Sequence, residues 1–330
     1  MRKLYFLVPG TGGKFACGGL WAELKTLRLA QQLCPAEVVT YRQRESKTLY
    51  LDDLLCHPPQ NEVIFVISWG FDVARLAARL KSHPVVYHAH SSGYRLRLPS
   101  RIPIITVSRN TMGYWGQHSP HAPIYYLPNQ IGDEFRNFNQ TRDIDVLVQA
   151  RKSSVYLMQD LIPALQQQCR VFVVNRYVED LATLFNRAKV YLYDSAEYWA
   201  QQGVSEGFGL QPMEAIACGC QVFSSVNGGL SDYLDPGFNC HKIACYSKTY
   251  DIHRILSALA HPTTSPFADQ YLAEHRAERI LQRFQVILEE INGFFDHQPT
   301  HAPDIRSLKR VEKIQSFLQK VGRKLTALTH

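Results

Sequence analysis

One short stretch, residues 205–219, carries glycine, proline and glutamate at spacings suited to a ligand with both phosphate and hydroxyl groups. Gly207 and Gly209 permit a tight loop that a ligand can approach closely. A helix is predicted from Leu210 onward, because Pro212 fits its first turn, where a missing N–H costs nothing. The free N–H groups and the dipole at such a helix start favour an anion, so the stretch predicts a phosphate site.

Two glutamates, Glu206 and Glu214, flank the start of this predicted helix. A carboxylate beside a phosphate site suits hydroxyl groups, as the acidic residue of dinucleotide-binding folds binds a ribose. The alternative is that both residues only stabilise the N-terminal end of the helix through its dipole. Taken one by one, the two residues leave both interpretations open.

Two histidines, His88 and His90, stand two residues apart at the end of a predicted strand, so their side chains share one face. Such a pair can belong to a metal site, but a structural zinc site needs about four ligands. No further ligand cluster stands at a recognisable spacing, and we expect no metal. His90, at the carboxyl end of the strand, is expected to line the ligand crevice of an open α/β sheet, with His88 packed below it.

Two further pairs of residues stand where α/β proteins bind ligands. Arg151 and Lys152 close a predicted strand and so lie at a carboxyl end, although a solvated loop pair is the alternative. Gly18 and Gly19 enter the first predicted helix and are candidates for the close approach of a phosphate or a sugar. The two pairs extend the predicted site to both halves of the chain.

Short apolar runs alternate with helix-period segments, which is the pattern of parallel sheets covered by helices on both faces. A polar stretch at 127–142 interrupts the alternation once. We therefore predict an α/β protein with two doubly wound Rossmann-like domains, residues 1–128 and residues 143–295. The predicted strands are 3–8, 38–41, 62–68, 85–88, 104–107, 144–148, 170–174, 190–193 and 221–224. The predicted helices are 20–33, 73–81, 156–167, 178–188, 210–217 and further helices within 248–295.

The composition is that of a folded protein with a sizeable core, with 45% hydrophobic and 20% charged residues. No apolar run reaches the roughly 18–20 residues that span a bilayer. Residues 1–8 are too short for a signal peptide, so a cytoplasmic location is expected. The eight cysteines form no Cys-x-x-Cys pair and are expected to be reduced. No helix-turn-helix, RNP or basic-aromatic pattern is present, which argues against a nucleic-acid partner.

The C-terminal segment, residues 304–330, repeats apolar residues every three to four positions, which predicts an amphipathic helix. It carries seven basic and two acidic side chains, and so accounts for most of the net charge of +7. Two interpretations stand side by side. The helix packs its apolar stripe back on the N-terminal domain, or its basic face holds the protein peripherally on an anionic cytoplasmic membrane surface.

The Glu-Gly-Phe-Gly string at 206–209 is followed by a glutamate eight positions after the first and then by Ala-x-Ala-x-Gly. This string closely resembles the retaining GT-B glycosyltransferases of family 4, the group 1 type, whose two glutamates are also separated by seven residues. Weaker likenesses are the Gly18-Gly19 loop, the segment 84–90 that ends in a functional histidine in that family, and the loop 228–232.

The resemblance implies a GT-B fold, in which residues 1–128 bind the acceptor and residues 143–295 bind a nucleotide sugar across a cleft. It also implies that the sugar passes to a glycan, a lipid-linked glycan or a small molecule with retention of configuration, without a metal or other cofactor. The implied catalytic residues are Glu206, His90, Arg151 and Lys152. The implied donor-binding residues are Gly18, Gly19, Arg151, Lys152, Glu206, Gly207, Phe208, Gly209, Leu210 and Glu214.

Within the resemblance, Glu214 binds the ribose, Glu206 binds hydroxyls of the donor sugar, and the basic pair neutralises the diphosphate. Two features depart from the family. The family lysine follows its arginine by five residues, whereas here that position is Tyr156 and Lys152 follows Arg151 directly. Either Lys152 takes that role from a shortened loop, or one phosphate contact is lost. The segment 196–204 has no assigned role.

Two other functions are compatible with the sequence. One is a sugar-nucleotide epimerase or a phosphorylase on the same architecture, since a fold alone does not fix a function. The other is a non-catalytic subunit that binds nucleotide sugars, for which the altered arginine–lysine spacing is the best support. Turnover of a nucleotide sugar without an acceptor would indicate the epimerase, and binding without turnover would indicate the subunit.

Overall fold

The structure, a computed structural model, describes residues 1–57, 62–262, 272–305, 314–315 and 317–319. Most of the predicted helix over 304–330 therefore lies outside the described residues. Residues Met1–Asn292 form one compact unit that contains two parallel β-sheets, and Gly293–His330 form a second unit. Both sheets belong to this first unit, and the division into domains 1–128 and 143–295 stays a prediction.

The first sheet has seven strands in the order β3-β2-β1-β4-β5-β6-β7, and all of its neighbours are parallel. Its strands are β1 (Lys3–Val8), β2 (Ala36–Thr40), β3 (Leu49–Tyr50), β4 (Val63–Ile67), β5 (Val85–Ala89), β6 (Ile104–Thr106) and β7 (Ile124–Tyr126). The central strands β4 and β5 are buried throughout, which explains their continuous apolar sequences. The strand order reverses beside β1, so the carboxyl ends of β1 and β4 flank a crevice suited to ligands.

The second sheet has five parallel strands in the order β12-β11-β10-β8-β9. Its strands are β8 (Ile144–Gln149), β9 (Val171–Val174), β10 (Ala188–Tyr193), β11 (Gln221–Ser224) and β12 (His241–Lys242). The order reverses between β8 and β10, so the loops that leave these two strands meet at the ligand-binding edge. The prediction of a mixed α/β chain with two parallel sheets is confirmed.

Ten α-helices connect the strands within the described ranges. They are α1 (Gly18–Ala30), α2 (Leu51–Cys56), α3 (Val73–Arg79), α4 (Arg109–His118), α5 (Ile162–Gln166), α6 (Leu181–Arg187), α7 (Ala196–Gln202), α8 (Leu210–Ala217), α9 (Lys248–Ala260) and α10 (Ala277–His297). Side-chain caps fix several starts: Ser108 accepts a hydrogen bond from the N–H of Thr111 before α4, and Ser247 accepts one from the N–H of Tyr250 before α9. Among the described residues, no helix combines the length and hydropathy that a membrane span requires.

The predicted helix over 156–167 differs from the observed one. A π-helical segment, Tyr156–Leu161, precedes the short helix α5. Pro163 explains the difference, because it has no N–H for the regular helical ladder, and π-type turns arise where that ladder is interrupted. The segment still buries Leu157 and Leu161 against the second sheet, so the predicted apolar face is retained.

The chain returns to the first sheet after it has formed the second. Phe284, Leu288 and Ile291 of α10 line a small apolar cavity together with Leu4 and Ile64 of the first sheet. The main chain of Arg2 also donates a hydrogen bond to the side chain of Asn292 at 3.0 Å. Residues 277–292 therefore cover one face of the first sheet.

Candidate active site

The loop before α8 is held in the conformation that the glycines suggest. Gly209 has a φ of 77°, in the left-handed region, and α8 begins at the next residue. A Cβ on Gly209 would lie 2.2 Å from Cδ2 of Leu230, and the hydroxyl of Tyr233 donates a hydrogen bond to the Gly209 carbonyl. The loop is thus fixed by the segment 228–233, and the N-terminal N–H groups of α8 are presented beside it.

Glu206 lies at the centre of a dense hydrogen-bond network. Its Oε2 accepts from the hydroxyl of Tyr193 at 2.5 Å, from the hydroxyl of Ser195 at 3.1 Å and from Nε1 of Trp199 at 2.6 Å. The residue is 5% exposed, and its Oε1 lies 3.9 Å from Nζ of Lys152. One oxygen is therefore saturated by neutral donors, whereas the other remains directed toward a cation.

Lys152 is brought to this network by an unusual backbone. Its φ of 71° is left-handed, which a residue with a side chain adopts only at a cost. The ammonium lies 4.3 Å from the centre of the Trp199 ring, a cation–π distance, in addition to its approach to Glu206. Arg151 is exposed and makes no hydrogen bond or ion pair with the described residues. The structure thus unites Lys152 with Glu206 and leaves Arg151 outside the network.

The segment 196–204, which the sequence left without a role, contributes a wall of the site. Most of it forms α7, which ends at Gly203 with a φ of 65°. Trp199 projects from this helix between Lys152 and Glu206, touching both. Sequence reasoning missed Tyr193, Ser195 and Trp199 as site residues. The aromatic pair at 198–199 in the unassigned segment is a signal for Trp199 alone, and no sequence signal indicated Tyr193 or Ser195.

Glu214 lies inside α8, about one turn beyond the loop, and is 6% exposed. Its carboxylate accepts no hydrogen bond from the described residues, so no hydrogen bond among them compensates for its burial. Burial raises the pKa of Glu214 to about 7, against a smaller lowering by the charge of Lys25 on α1. A buried acceptor that lacks donors is suited to the hydroxyls of a ligand.

The remaining predicted donor residues differ in their surroundings. The ring of Phe208 is buried against Tyr233 and His275, at centroid distances of 5.4 and 5.6 Å. A ligand would therefore contact the main chain of Phe208 and not its ring. Leu210 is half-buried at the first position of α8. Gly18 and Gly19 open α1 with free space beside them, since a Cβ on Gly18 would meet no atom within 4 Å. No described hydrogen bond links this pair to the loop before α8, and their donor role stays a prediction.

The loop after β5 touches the loop before α8 directly. The hydroxyl of Ser91 donates to the carbonyl of Ser205 at 2.5 Å, and the hydroxyls of Ser92 and Ser205 are 2.7 Å apart. A Cβ on Gly207 would lie only 1.6 Å from the carbonyl oxygen of His90. The main chain of His90, which follows a strand of the first sheet, and the loop that contains Glu206, from the second sheet, therefore meet at one junction, and a shared ligand crevice stays a prediction.

His88 and His90 have a third partner that sequence spacing did not reveal. Oε2 of Glu23, on α1, lies 2.6 Å from Nδ1 of His88 and 2.7 Å from Nε2 of His90. These three side chains offer ligand atoms within 4.8 Å of one another, a set that could hold a metal ion. The nitrogen–oxygen distances are those of hydrogen bonds, and the expectation of no metal stays a prediction.

One part of the chain matches a known protein family. Residues 137–264 match the family model described as Glycosyl transferases group 1. This range includes Lys152, Glu206 and Glu214, so the part of the chain around the second sheet matches that family. No curated protein sequence matches the chain.

Solved structures share the two-sheet architecture at low sequence identity. A glycosyltransferase from Rickettsia africae has a TM-score of 0.63 and 12% identity, with 88% of this chain and 98% of that chain covered. Sucrose-phosphate synthase from Thermosynechococcus elongatus has a TM-score of 0.62 and 16% identity, over 89% and 100% of the two chains. Anabaena Alr3699/HepE in complex with UDP has a TM-score of 0.60 and 15% identity, over 88% and 100%. The chain therefore has the GT-B fold. The family match covers residues 137–264, and the likeness to these structures, each at 16% identity or below, shows the fold.

Proposed function

We propose that this protein transfers a sugar from a nucleotide-diphosphate sugar to a glycan or a lipid-linked glycan, with retention of configuration and without a metal ion. The observation that carries the proposal is the junction at which Lys152, Glu206 and the His90 loop meet beside the start of α8. The family match to residues 137–264 supports the reaction class. The UDP bound to HepE supports a UDP-sugar as the first donor to test.

The site chemistry suggests a role for each group in the proposed reaction. The Lys152 ammonium and the N–H groups at the start of α8 neutralise the diphosphate as it leaves, where negative charge develops. Glu214 accepts hydrogen bonds from the ribose hydroxyls, and Oε1 of Glu206 accepts one from a hydroxyl of the donor sugar. His90 faces the transferred sugar from the other side of the junction. The roles of Arg151, Gly18 and Gly19 rest on the sequence resemblance.

The surroundings of Glu206 favour attack on the face that the diphosphate leaves. A carboxylate nucleophile needs a free, reactive oxygen, whereas Oε2 of Glu206 already accepts three hydrogen bonds. In the proposed step the bond between the anomeric carbon and the phosphate oxygen breaks, and a bond to the acceptor oxygen forms on the same face. The acceptor proton passes to the released diphosphate, so charge and atoms balance.

The alternative functions have weaker support in the geometry. The exposed Arg151 is the feature that favours a non-catalytic binding subunit. Lys152 nevertheless reaches Glu206, which keeps one cation at the position that the chemistry needs. The acceptor class rests on sequence alone: the basic segment 304–330 supports an acceptor held at an anionic membrane surface.

The proposed function is tested first by binding and then by turnover. UDP at about 100 times its dissociation constant should stabilise the protein by roughly 2.7 kcal/mol in a thermal-shift measurement. UDP-glucose with a panel of glycan acceptors should then release UDP and give a product with the anomeric configuration of the donor, with EDTA leaving the rate unchanged. Conversion of the nucleotide sugar without release of UDP would indicate an epimerase. Binding without any turnover across the panel would indicate a binding subunit.

Removal of the Lys152 ammonium is expected to lower kcat by about 10²-fold, the cost of losing one group that stabilises developing charge. Lys152→Gly removes the ammonium without backbone strain, because glycine adopts the left-handed φ of 71° readily. Lys152→Ala should give the same loss of kcat. Lys189→Ala is the matched control, since Lys189 pairs with Asp145 at 2.7 Å and contacts no site residue. Steady-state kinetics measure the effect. A loss below threefold would mean that Arg151 and the α8 amides suffice.

The affinity for UDP is expected to rise between pH 6 and pH 8. Burial raises the pKa of Glu214 to about 7, so the carboxylate that accepts the ribose hydroxyls forms only as the pH passes that value. Glu214→Gln should flatten this rise and weaken binding about tenfold, since a hydrogen bond to a charged group contributes roughly 1.5–3 kcal/mol. Titration calorimetry at several pH values measures both.

Glu214→Gln is expected to weaken UDP binding but to stabilise the ligand-free protein at high pH. An acid whose pKa is raised in the folded state destabilises that state above the raised pKa, and it has no such effect below its unfolded value. Without ligand, Glu214→Gln should therefore gain in melting temperature over the natural protein as the pH rises from 5 to 8. A UDP affinity that follows pH equally in both proteins would contradict the assignment.

A further inference from the structure

Glu23 is a buried charged group that the proposed reaction does not use. It lies in the middle of α1 and is 1% exposed. A single oxygen, Oε2, contacts both His88 and His90, while Oε1 is buried and has no hydrogen-bond partner among the described residues. A carboxylate is costly to bury without compensation, so its interaction with the two imidazoles calls for an explanation.

The protons at this cluster follow from the charge of Glu23. Burial raises the pKa of Glu23, but the charge of His88 and the hydrogen bonds from His88 and His90 outweigh burial and hold it at about 2. An ionised carboxylate only accepts hydrogen bonds, so each imidazole carries a hydrogen on the nitrogen that faces it. For His88 that nitrogen is Nδ1, and for His90 it is Nε2.

The surroundings of His90 favour its neutral form. Burial lowers the pKa of His90, and the neighbouring His88 lowers it further, which together outweigh the opposite effect of Glu23. With its hydrogen on Nε2, the imidazole has a lone pair on Nδ1, which is a hydrogen-bond acceptor. Glu23 therefore determines which kind of group His90 offers to a ligand.

The free nitrogen of His90 is accessible, unlike that of His88. Nε2 of His88 is fully buried, lacks a hydrogen-bond partner and lies in a residue that lines the apolar cavity under α10. Nδ1 of His90 has no hydrogen-bond partner among the described residues and is not one of their fully buried polar atoms. The main-chain carbonyl of His90 abuts Gly207, so the residue that carries this acceptor lies beside the loop that contains Glu206.

We propose that Glu23 is a positioning residue that holds His90 with its hydrogen on Nε2, so that Nδ1 accepts a hydrogen bond from a hydroxyl of the sugar substrate. His88 is the second anchor of the carboxylate and fixes its orientation from the strand. The ligand class, a sugar hydroxyl, rests on the proposed glycosyltransferase function. The tautomer of His90 does not, because it follows from the cluster itself.

The decisive variant is Glu23→Gln, which keeps the shape of the side chain and removes its charge. The NH₂ of glutamine has two hydrogens, so in the place of Oε2 it donates to Nδ1 of His88 and Nε2 of His90, which moves the imidazole hydrogen of His90 to Nδ1 and converts the acceptor into a donor. The opposite orientation would leave both amide hydrogens at the buried position of Oε1, where no described residue accepts them. We expect kcat to fall about 10- to 100-fold, as when a carboxylate that orients a histidine is removed. The affinity for UDP should stay within threefold, because UDP lacks the transferred sugar whose hydroxyl His90 is proposed to bind. Glu23→Asp should keep the tautomer and recover part of the rate.

Nitrogen-15 NMR of histidine-labelled protein identifies the tautomer of each imidazole and does not depend on enzymatic activity. The His90 signal is assigned by its loss in His90→Asn. The expected result is a protonated Nε2 in the natural protein and a protonated Nδ1 in Glu23→Gln. Asp251→Asn is the matched control: Asp251 is fully buried, accepts from the Tyr156 hydroxyl at 2.8 Å and lies outside the junction. Its loss should lower stability and leave the His90 tautomer unchanged.

Three results would overturn the inference. One is a protonated Nδ1 of His90 in the natural protein, which decides the matter even if Glu23→Gln does not fold. The second is an unchanged rate and tautomer in a folded Glu23→Gln protein. The third is a stoichiometric zinc ion that survives dialysis and is lost in the variant, because the three side chains would then be metal ligands. If the natural protein transfers no sugar but shows the expected tautomers, the proposed function fails and the positioning of His90 stands.

Discussion

Gly207→Ala is expected to lower the rate of sugar transfer by at least about 10²-fold, while UDP affinity stays within about threefold. The added Cβ would lie 1.6 Å from the carbonyl oxygen of His90 and 2.5 Å from its carbonyl carbon. Both atoms belong to the main chain, so no change of rotamer relieves the contact and the two loops must separate. Misplacement of reacting groups by about 1 Å can cost 10²-fold in rate. UDP affinity is retained because Lys152, Glu214 and the start of α8 lie on the same side of the junction.

The measurement compares transfer kinetics with UDP binding by calorimetry, and a melting curve confirms that the variant folds. Gly116→Ala is the matched control, since that glycine lies inside α4 and an added Cβ meets no atom within 4 Å. Transfer by Gly207→Ala within threefold of the natural rate would show that the contact with His90 is dispensable.

Glu206→Gln is expected to lower kcat by about 10²- to 10³-fold, with a much smaller effect on the affinity for UDP. The neutral amide cannot replace the carboxylate at both of its oxygens. If its NH₂ faces Tyr193 and Trp199, those donors lose their acceptor, and if it faces Lys152, it meets a cation. Either arrangement removes the negative charge that organises the network and the hydroxyl acceptor proposed for the donor sugar.

Glu197→Gln provides the control for this charge removal. Glu197 lies on α7 near the network, and its Oε2 accepts a hydrogen bond from the N–H of Val155 at 2.8 Å without contacting Glu206. Kinetics of the two variants under saturating donor should differ by at least 10²-fold. Equal rates for Glu206→Gln and the natural protein would remove Glu206 from the proposed mechanism.

The elements that position the site were largely readable from the sequence. The strand Lys3–Val8, the helix Leu210–Ala217 and the strand Gln221–Ser224 have the predicted bounds. Buried parallel strands and amphipathic helices have characteristic hydrophobic patterns within short segments, so the sequence of each segment predicts them. Short or half-exposed elements such as β7 (Ile124–Tyr126) and α7 were missed, since they carry too few residues to establish a period.

The sequence by itself also determined which residues could do the chemistry: the loop glycines, the glutamate pair, Lys152 and His90. These signals are local. A glycine permits backbone conformations that other residues avoid, and the end of a predicted strand places the next residues at the carboxyl edge of the sheet. Only the tertiary structure decided their partners. Glu23 and His90 stand 67 positions apart, and they meet because α1 packs on β1 and β2, which brings Glu23 within reach of the residue that follows β5. Trp199 reaches Glu206 because α7 folds back over the edge of the second sheet, and Gly207 meets His90 because two loops from different sheets pack together. Such contacts depend on the packing of distant elements, which no local pattern encodes.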